Sequence, residues 1–382
     1  MTTVIGILIE PLDVLFFRDG RPFGQGVLGK SALPIPQTLS GAFWTAILES
    51  SGCDFRRFGE SLNGSRDMRC ALAESRGPEW LADIAIRGPW LARAPSVANN
   101  GDNSLEVLVP TPSVLQTPKK SSEMTKGKLY RLRPVSADRI PGWRHTTATR
   151  HTGLRPLWLN SREATEPAAG FLKPPGLRQF LADQEVDSEQ LLKPTDLYAM
   201  DHRTGIGIDP ARLSAEEGMI YGASFLALQP EISFYAEVAL PSGVDSSVLD
   251  GINTIAFGGE GRRARLRILK GDRIFQWPSV LPTTPRQRPL LMLTTPGLFD
   301  DNWRPRKLSG NIAAAAVPDF VACSGWDLVR RGPKPTRFAA QAGSVYYLSQ
   351  SLGNVPSSLA DRTLDQSQGW GCFLTGVWTD DE

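Results

Sequence analysis

The run GMIYGASFLALQPEISFYAEVALPSGVDSSVLDGINTIAFGGEGRRARLRIL (Gly218–Leu269) decides the fold class. Two β-rich segments, Gly218–Leu228 and Ile232–Leu240, are separated by a Gln-Pro-Glu triplet and predict a hairpin. Apolar residues at helical spacing predict a helix over Val244–Phe257, which ends at two glycines. Alternating charged and apolar residues in Arg263–Leu269 predict a half-buried strand. The run therefore predicts the order strand, strand, helix, strand.

Two elements near the N-terminus extend this order. The apolar run Val4–Ile9 is stopped by Glu10 and Pro11 and predicts a buried first strand. Apolar residues at helical spacing, with a proline at the start and a glycine at the end, predict a first helix over Gln37–Ser51. Together the elements give the βαββαβ order of a ferredoxin-like or RRM-like unit, in the α+β class.

The rest of the chain suggests one insertion and one further domain. Residues 53–195 show scattered proline and glycine without a sustained period, which predicts an irregular insertion between the first helix and the second strand. We therefore predict a ferredoxin-like domain over 1–270, with its insertion at about 53–195, and a smaller α+β domain over 271–382. Strand candidates in the second domain are Leu290–Thr294, Phe338–Leu348 and Phe373–Trp378.

Composition excludes several classes of protein. The 382 residues are 41% hydrophobic and 21% charged, with no block of like charge, which excludes wholesale disorder. The 36 glycines and 30 prolines imply many turns and few long helices, which makes coiled coils and helical bundles poor candidates. A net charge of +2 excludes a uniformly basic nucleic-acid coat but leaves room for a local basic face.

The N-terminal segment and the cysteines bear on the compartment. The segment has no basic start and is interrupted by Glu10, Pro11 and Asp13, so it is predicted to be neither a signal peptide nor a membrane span. We expect a cytoplasmic protein with no membrane contact. The cysteines have no metal-ligand or disulfide spacing, so we expect buried thiols, no metal and no cofactor. They are Cys53, Cys70, Cys323 and Cys372.

The segment Gly24–Ser31 (GQGVLGKS) matches the P-loop pattern of nucleotide-binding proteins. A phosphate-cradling loop needs a strand directly before it and a helix that begins at its Lys-Ser pair. Here Pro22 precedes the match, and Pro34 and Pro36 follow it. We therefore interpret the segment as a glycine-rich loop and not as a nucleotide site.

The most basic stretch of the chain is 126–162. The stretch contains nine basic residues and one acidic residue, Asp138, and aromatic residues are interleaved with the basic ones. This pattern suits contact with an RNA backbone together with stacking of bases, although a solvated arginine-rich loop has the same composition. The basic residues are Lys126, Lys128, Arg131, Arg133, Arg139, Arg144, Arg150, Arg155 and Arg162, and the aromatic residues are Tyr130, Trp143 and Trp158.

A second candidate is the turn Gly258–Arg265 (GGEGRRAR). Its backbone amides can approach phosphates, and the alternating arginines at 263, 265 and 267 share one strand face. A helix C-cap followed by a polar strand face would have the same sequence. A third, less specific group could equally face a partner protein; it comprises Arg330, Arg331, Lys334 and Arg337.

The chain has three histidines, so few general bases are at hand. His202 beside Arg203, or His151 beside Arg150, could activate a ribose hydroxyl for metal-independent RNA cleavage. A metal-independent endoribonuclease that processes precursor RNA therefore stays open as an alternative function.

Several segments resemble one known family. The opening Glu10–Gly24 (EPLDVLFFRDGRPFG), Leu33–Phe43 (LPIPQTLSGAF) and Ala256–Leu266 (AFGGEGRRARL) resemble the third subunit of the Cmr complex, the type III-B CRISPR RNA-guided effector. Four further blocks also agree, and all the blocks occur in the family's order, so the resemblance runs through the chain apart from the insertion. These blocks are His202–Asp209, Gly218–Leu228, Gly325–Leu348 and Gly369–Trp378.

The resemblance implies a RAMP protein built from tandem ferredoxin-like (RRM-like) domains with a glycine-rich loop. Such a subunit holds the repeat-derived 5′ handle of the CRISPR RNA. It contacts the large polymerase-like subunit and abuts the first backbone subunit of a ribonucleoprotein that acts in antiviral defence. In this family the subunit is not usually the nuclease, so we expect a chain without enzymatic activity.

The resemblance also implies RNA-contacting residues, though none can be carried over between Cys53 and Thr195. Arg18 and Arg21 lie in the loop after the first strand, where arginine beside phenylalanine can meet phosphate. Arg203 lies in the His202–Asp209 block. The glycine-rich loop adds Gly258, Gly259, Gly261, Arg262, Arg263 and Arg265.

Overall fold

A computed structural model gives the fold. It describes residues 2–17, 28–64, 67–94, 105–119, 127–140, 153–161, 163–209, 211–212, 214–327 and 332–380. The described residues form an α+β structure of mostly antiparallel sheets with few helices, as the sequence predicts.

The helices are α1 (Pro36–Ser50), α2 (Phe55–Asn63), α3 (Met68–Glu74), α4 (Pro174–Leu181) and α5 (Thr363–Ser367). The strands are β1 (Thr3–Pro11), β2 (Leu28–Lys30), β3 (Ala85–Arg93), β4 (Glu106–Pro110), β5 (Leu115–Pro118), β6 (Lys128–Arg131), β7 (Arg133–Pro134), β8 (Leu157–Trp158), β9 (Thr165–Pro167), β10 (Phe171–Leu172), β11 (Val186–Asp187), β12 (Leu191–Leu192), β13 (Tyr198–Asp209), β14 (Ser214–Leu228), β15 (Ile232–Leu240), β16 (Thr254–Ala256), β17 (Arg263–Leu269), β18 (Gln287–Leu293), β19 (Ile312–Ala316), β20 (Phe320–Cys323), β21 (Trp326–Asp327), β22 (Gly332–Pro333), β23 (Arg337–Ala340), β24 (Val345–Leu348) and β25 (Phe373–Thr379).

The largest sheet has eight strands in the order β12-β10-β4-β3-β15-β1-β17-β16, and every neighbouring pair is antiparallel. β1 lies between β15 and β17 because its apolar residues are buried on both faces of the sheet. Ile5, Ile7 and Ile9 share a core with Phe43 of α1, whereas Leu8 belongs to a core on the other face. The predicted first strand, first helix and strand Arg263–Leu269 are therefore confirmed.

The second strand of this core is not the predicted one. β3 pairs with β15, whereas Gly218–Leu228 belongs to β14 and pairs with β13. The predicted hairpin between Gly218–Leu228 and Ile232–Leu240 is therefore wrong. Nearly every residue of β15 is buried, so this strand fits the centre of a sheet, while β13 offers β14 a partner from the adjoining segment of chain.

Residues 53–195 contain more regular structure than their sequence predicts. They hold α2, α3, β3 and α4. Because β3 is a central strand of the large sheet, the long excursion of the chain lies between β3 and β15 and not between α1 and the second strand. The prediction missed β3 because its sequence, AIRGPWLAR, contains a glycine and a proline.

The predicted helix over Val244–Phe257 is also wrong. Only a 3-10 turn, Ser246–Leu249, forms there, and strand β16 follows it. Gly251 adopts a φ of +91°, which lies outside helical geometry. The carboxylate of Asp245 accepts a hydrogen bond from the Ser247 amide at 2.8 Å and caps this short turn.

A second sheet lies in the C-terminal part of the chain, in the order β19-β24-β18-β25 with antiparallel pairs. Numbered along the chain, its strands lie in the order 2-3-1-4, and β3-β15-β1-β17 of the large sheet have the same order. The predicted strand Phe338–Leu348 is two strands, β23 and β24, because Gly343 turns the chain with a φ of +90°.

The two sheets share one hydrophobic core. It contains Val109 of β4, Leu177 of α4, Leu290 of β18 and Trp378 of β25. The approach is close: a Cβ atom on Gly376 would lie 2.8 Å from the Leu181 carbonyl oxygen. Side chains from both parts of the chain thus form a continuous interior.

Candidate nucleic-acid interface

The glycine-rich turn between β16 and β17 packs against the opening segment of the chain. The amide of Gly259 donates a hydrogen bond to the Phe16 carbonyl at 2.7 Å, and the amide of Leu12 donates to the Arg263 carbonyl at 3.1 Å. Within the turn, the amide of Phe257 donates to the Arg262 carbonyl at 2.9 Å. The two most specific blocks of the sequence resemblance therefore contact each other.

Glycine is required where the turn touches Phe16. Gly258 adopts a φ of +95°, and a Cβ atom there would lie 2.7 Å from the Phe16 carbonyl oxygen. Gly261 also has a positive φ, +66°, but a Cβ atom there would meet open space. The first glycine permits a close approach of two backbones, and the second permits only the turn itself.

Two predicted arginines, distant in sequence, meet at one aromatic ring. The guanidinium carbons of Arg203 and Arg262 lie 5.0 Å and 4.8 Å from the ring centroid of Phe225. Arg262 donates to the Asp13 carboxylate at 2.5 Å, and Arg203 donates to Asp201 at 2.7 Å and 2.9 Å. Each guanidinium in this group, which we call the Phe225 cluster, therefore already has a carboxylate partner.

Arg263 and Arg265 differ from the Phe225 cluster. Both are exposed on β17, while Ala264 between them is buried. Arg263 donates to the Thr254 hydroxyl at 2.8 Å, and Arg265 makes no hydrogen bond or ion pair with any residue that the structure describes. These two cations stand on the face of the sheet away from α1 and are available to an anion.

The next arginine on that face is already paired. Arg267 lies 2.8 Å from the Glu10 carboxylate, and each of the two side chains is about one third exposed. Along β17, the arginines near the glycine-rich turn, Arg263 and Arg265, have no carboxylate partner among the described residues, whereas Arg267 further along the strand is paired with Glu10.

The sequence missed three members of this site, and two residues that it predicts lie outside the part of the chain that the structure describes. Phe225, Asp13 and Asp201 hold the predicted arginines, but only the pairing of distant segments reveals them. Arg18 and Arg21 lie outside the described residues, so their predicted roles stay predictions.

His202 is an exposed residue of β13, and its Nδ1 atom hydrogen-bonds with the Ser224 hydroxyl at 2.6 Å. Side chains of consecutive strand residues point to opposite faces. His202 and Arg203 therefore do not face one another across a common reaction centre. His151 and Arg150 lie outside the described residues.

The part of the P-loop match that the structure describes is not a P-loop. Leu28–Lys30 forms strand β2, parallel to β14, and the Ser31 hydroxyl accepts a hydrogen bond from the Phe17 amide at 2.9 Å. Helix α1 begins only at Pro36. A P-loop would begin its helix at the Lys-Ser pair, so this context agrees with the sequence interpretation.

The third basic group is partly described. Arg337 makes a bidentate pair with Asp365 at 2.6 Å and 2.7 Å, and this hydrogen bonding raises the pKa of Arg337. Arg330 and Arg331 lie outside the described residues, and Lys334 is exposed. The described members therefore form no open cationic surface like that of β17.

The described residues contain neither a metal-ligand cluster nor a membrane-spanning helix. No three His, Cys, Asp or Glu side chains there come together as metal ligands would. None of the helices described above is long and apolar enough to cross a membrane.

The sequence model of a family of CRISPR-associated proteins, Cas_Cmr3, matches residues 7–378. No protein with a curated description matches the chain.

Among solved structures, a chain of the type III-B Cmr-β complex bound to cognate target RNA is 17% identical. The match has a TM-score of 0.47 and covers 90% of this chain and 86% of that one. A chain of a Csm1–Csm4 cassette in complex with AMPPNP is 14% identical, with a TM-score of 0.34 and coverage of 92% and 91%.

The family match extends over nearly the whole sequence and defines the chain as a CRISPR-associated protein. Within that class, it belongs to the Cas_Cmr3 family. The resemblance to the third subunit of the type III-B Cmr effector complex is thereby confirmed.

Proposed function

We propose that this chain is a non-catalytic RNA-binding and assembly subunit of a type III-B CRISPR effector complex in antiviral defence. It holds the 5′ handle of the CRISPR RNA. It also bridges the large polymerase-like subunit to the backbone subunits of the complex. The family membership supports the assignment to this effector complex, and the geometry around the glycine-rich turn supports the RNA contact.

The observation that carries the RNA contact is the open pair Arg263 and Arg265. Both guanidiniums are exposed on one strand face, and neither is paired with a carboxylate of the described chain. An arginine fork matches the geometry of a phosphate group and keeps its charge at all physiological pH values. Successive phosphates of a single strand can therefore follow this face.

The Phe225 cluster has a different role in this proposal. Arg262 and Arg203 are neutralised by Asp13 and Asp201, so their contribution to an RNA phosphate is smaller. Arg262 fixes the glycine-rich turn to the opening segment through Asp13, while Arg203 contacts the same Phe225 ring from β13. The turn then presents its backbone amides and Arg263 in one arrangement. Gly258, Gly259 and Gly261 act through this backbone.

We also propose that the chain is built from two ferredoxin-like domains. The shared 2-3-1-4 strand order of the two sheets supports two ferredoxin-like domains, one in 1–270 and one in 271–382. In the first, the 3-10 turn Ser246–Leu249 stands where a ferredoxin-like unit has its second helix. In this assignment the glycine-rich loop precedes the fourth strand of that domain.

The first experiment identifies the RNA and the partners. The full chain, tagged, is co-expressed with candidate Cmr subunits and a CRISPR array, and the bound RNA is sequenced. We expect CRISPR RNA with a common 5′ handle, together with the large subunit and a backbone subunit. Recovery of neither RNA nor Cmr subunits would contradict the proposal.

The second experiment tests the arginines on the RNA so identified. Changing Arg263 and Arg265 together to alanine should weaken binding by about tenfold or more. The slope of log K against log salt should fall by about 1.4, because each lost contact with a single strand contributes about 0.7. Filter binding at several salt concentrations measures both quantities.

The matched control is Arg56→Ala combined with Arg57→Ala, because both are exposed arginines on α2 and the change removes the same charge. It should leave both the affinity and the salt slope unchanged. Equal losses in the control and in the double variant would show that only net charge matters and would reject the assignment to β17.

The nuclease alternative is tested on the same material. The isolated chain is incubated with end-labelled precursor RNA in EDTA, beside the variant His202→Ala. We expect no specific cleavage by either protein. Cleavage by the natural chain that His202→Ala abolishes would make the protein an endoribonuclease.

A further inference from the structure

Two exposed phenylalanines lie side by side on the two-stranded sheet of β20 and β23, which we call the aromatic ribbon. Phe320 is 61% exposed and Phe338 is 57% exposed. Their ring centroids are 5.2 Å apart, and the ring planes are nearly perpendicular, at 87°. Single exposed apolar side chains are common on protein surfaces, whereas a contiguous exposed apolar patch indicates an interaction site.

The two faces of the aromatic ribbon differ in burial. The strands are antiparallel, and Ala322 lies opposite Phe338. Phe320, Ala322 and Phe338 therefore share one face, and all three are exposed. On the other face Cys323 and Ala339 are buried in a hydrophobic core. This core fixes the ribbon in place, so the two aromatic rings are held on the outer surface.

β20 has an open edge. The far side of β23 is already occupied at one point, because Ala340 and Gly297 exchange backbone hydrogen bonds of 2.8 Å and 2.9 Å. Among the strands that the structure describes, β20 pairs with β23 alone. The outer N–H and C=O groups of such a strand can pair with a further strand. The ribbon thus combines an open backbone edge with an exposed apolar face.

The charges around the aromatic ribbon favour a protein over a nucleic acid. The Asp319 carboxylate accepts a hydrogen bond from the Phe320 amide at 2.8 Å and is exposed beside that ring. Arg337 lies on the buried face and is paired with Asp365. Among the described side chains of the ribbon and the residues adjoining it, Lys334 is the one exposed cation. Surfaces that stack RNA bases combine aromatic rings with several cations along the backbone, and that combination does not occur here.

We propose that the aromatic ribbon is a docking site for an extended segment of another protein subunit of the effector complex. The segment adds to the open edge of β20 as a third strand, and its apolar side chains at alternate positions pack on Phe320 and Ala322. Lys334 lies beyond the end of β20, where its amide donates to the Gly325 carbonyl at 2.8 Å, and it pairs with an acidic residue of the segment. This inference rests on the proposed function, because the partner belongs to the same complex.

The test uses the full chain in the tagged co-expression experiment described above. Phe320→Ala combined with Phe338→Ala should lower the recovery of one Cmr protein subunit by about tenfold, because the interface loses two aromatic anchors. The affinity of the isolated double variant for the RNA should stay unchanged, because Arg263 and Arg265 are intact.

The matched control is Leu281→Ala combined with Leu364→Ala. Both leucines are as exposed as the two phenylalanines, and neither belongs to the aromatic ribbon. The control should retain every subunit. All four side chains are exposed, so the urea midpoints of both double variants should equal that of the natural chain.

Hydrogen exchange gives a second readout that needs no substitution. The amides of β20 that point away from β23 should exchange fast in the isolated chain and slowly in the purified complex, because the added strand pairs with them. Mass spectrometry of peptides that cover Phe320–Cys323 measures this difference.

The outcomes separate this inference from the proposed function. Failure of the natural chain to recover any Cmr subunit would contradict the proposed function. Where the natural chain recovers its partners, full recovery by the Phe320 and Phe338 double variant, or unchanged exchange of β20, would overturn the docking site alone. Loss of RNA in place of a subunit would make the ribbon an RNA surface, and self-association that the double variant abolishes would make a second copy the occupant; each result would also overturn the proposal.

Discussion

Gly258 and Gly261 lie in the same turn, yet their surroundings differ. Gly261→Ala should lower the free energy of unfolding by about 1 kcal/mol, because alanine is strained at a positive φ. Gly258→Ala carries the same strain and also forces Cβ to within 2.7 Å of the Phe16 carbonyl oxygen. Its cost should therefore be about 2–4 kcal/mol.

Urea denaturation followed by circular dichroism measures both changes. Each variant is compared with the natural chain at the same pH and salt. Equal costs at the two positions would mean that the contact with Phe16 is not maintained in solution.

At this scale the sequence could supply residue types but not partners. The glycines and arginines of Gly258–Arg265 were predictable, because flexible backbone and fixed positive charge are local properties. The carboxylates that neutralise Arg262 and Arg203 were not. Asp13 reaches Arg262 only because β1 and β17 pair side by side, and local sequence patterns do not reveal which strands pair.

Among the elements, β15 contains a buried polar group that fastens the following segment to the sheet. The Glu237 carboxylate accepts hydrogen bonds from Arg87 at 2.9 Å, from the Trp277 indole at 2.6 Å and from the Tyr235 hydroxyl at 3.2 Å. Burial, and then the negative charge of Glu237, raise the pKa of Tyr235. Trp277 lies between the two sheets along the chain, so this carboxylate holds the connection in place.

Glu237→Ala should lower the free energy of unfolding by about 3 kcal/mol, because it leaves donors without an acceptor at a buried site. Thermal or urea unfolding measures the loss. The matched control is Glu106→Ala, whose carboxylate pairs with Arg93 at 3.3 Å and is 34% exposed; its cost should stay below about 1 kcal/mol. Similar losses of unfolding free energy in the two variants would show that the Glu237 network stabilises the fold no more than an exposed ion pair does.

The elements also show where pattern reasoning fails. Ile232–Leu240 was predictable as a strand because its apolar run matches a buried position, but periodicity does not state which strand lies beside it. Proximity along the chain favoured β14, while the sheet places β1 and β3 there. In Val244–Phe257 the apolar spacing predicts a helix, but the 3-10 turn ends at Leu249 and Gly251 adopts a φ of +91°, which is not helical.

For the whole molecule, the central question is whether the two proposed domains behave as separate units. Their sheets share a core that includes Val109 and Trp378, and the Tyr347 hydroxyl donates to the Leu132 carbonyl at 2.7 Å. Large apolar contacts between neighbouring domains couple their unfolding. We therefore expect one cooperative transition for residues 1–382.

The cysteines allow a test of this single unfolding transition, because Cys53 lies in the first proposed domain and Cys323 in the second. Both are buried, and burial raises the pKa of Cys323 to about 12, so its reactive thiolate is scarce in the folded protein at pH 8. Cys70 is exposed, so the expectation of a buried thiol is wrong for this cysteine, and it should react with a thiol reagent before unfolding. Labelling at increasing urea, with the labelled peptides identified by mass spectrometry, should show Cys53 and Cys323 becoming reactive at one urea concentration.

A substitution at the shared core gives a second test of coupled unfolding of the two proposed domains. Gly376→Ala forces a Cβ atom against the Leu181 backbone across the two parts, so it should shift the labelling midpoints of both cysteines downward together. Gly353→Ala, where a Cβ atom meets open space, should shift neither. If the domains instead unfold independently, Gly376→Ala will move the two midpoints by different amounts, and the natural chain will already show two separate transitions. Joint movement would mean that the arginine face of β17 and the second sheet are stabilised by the same interior, so a change in either part alters the presentation of the RNA surface.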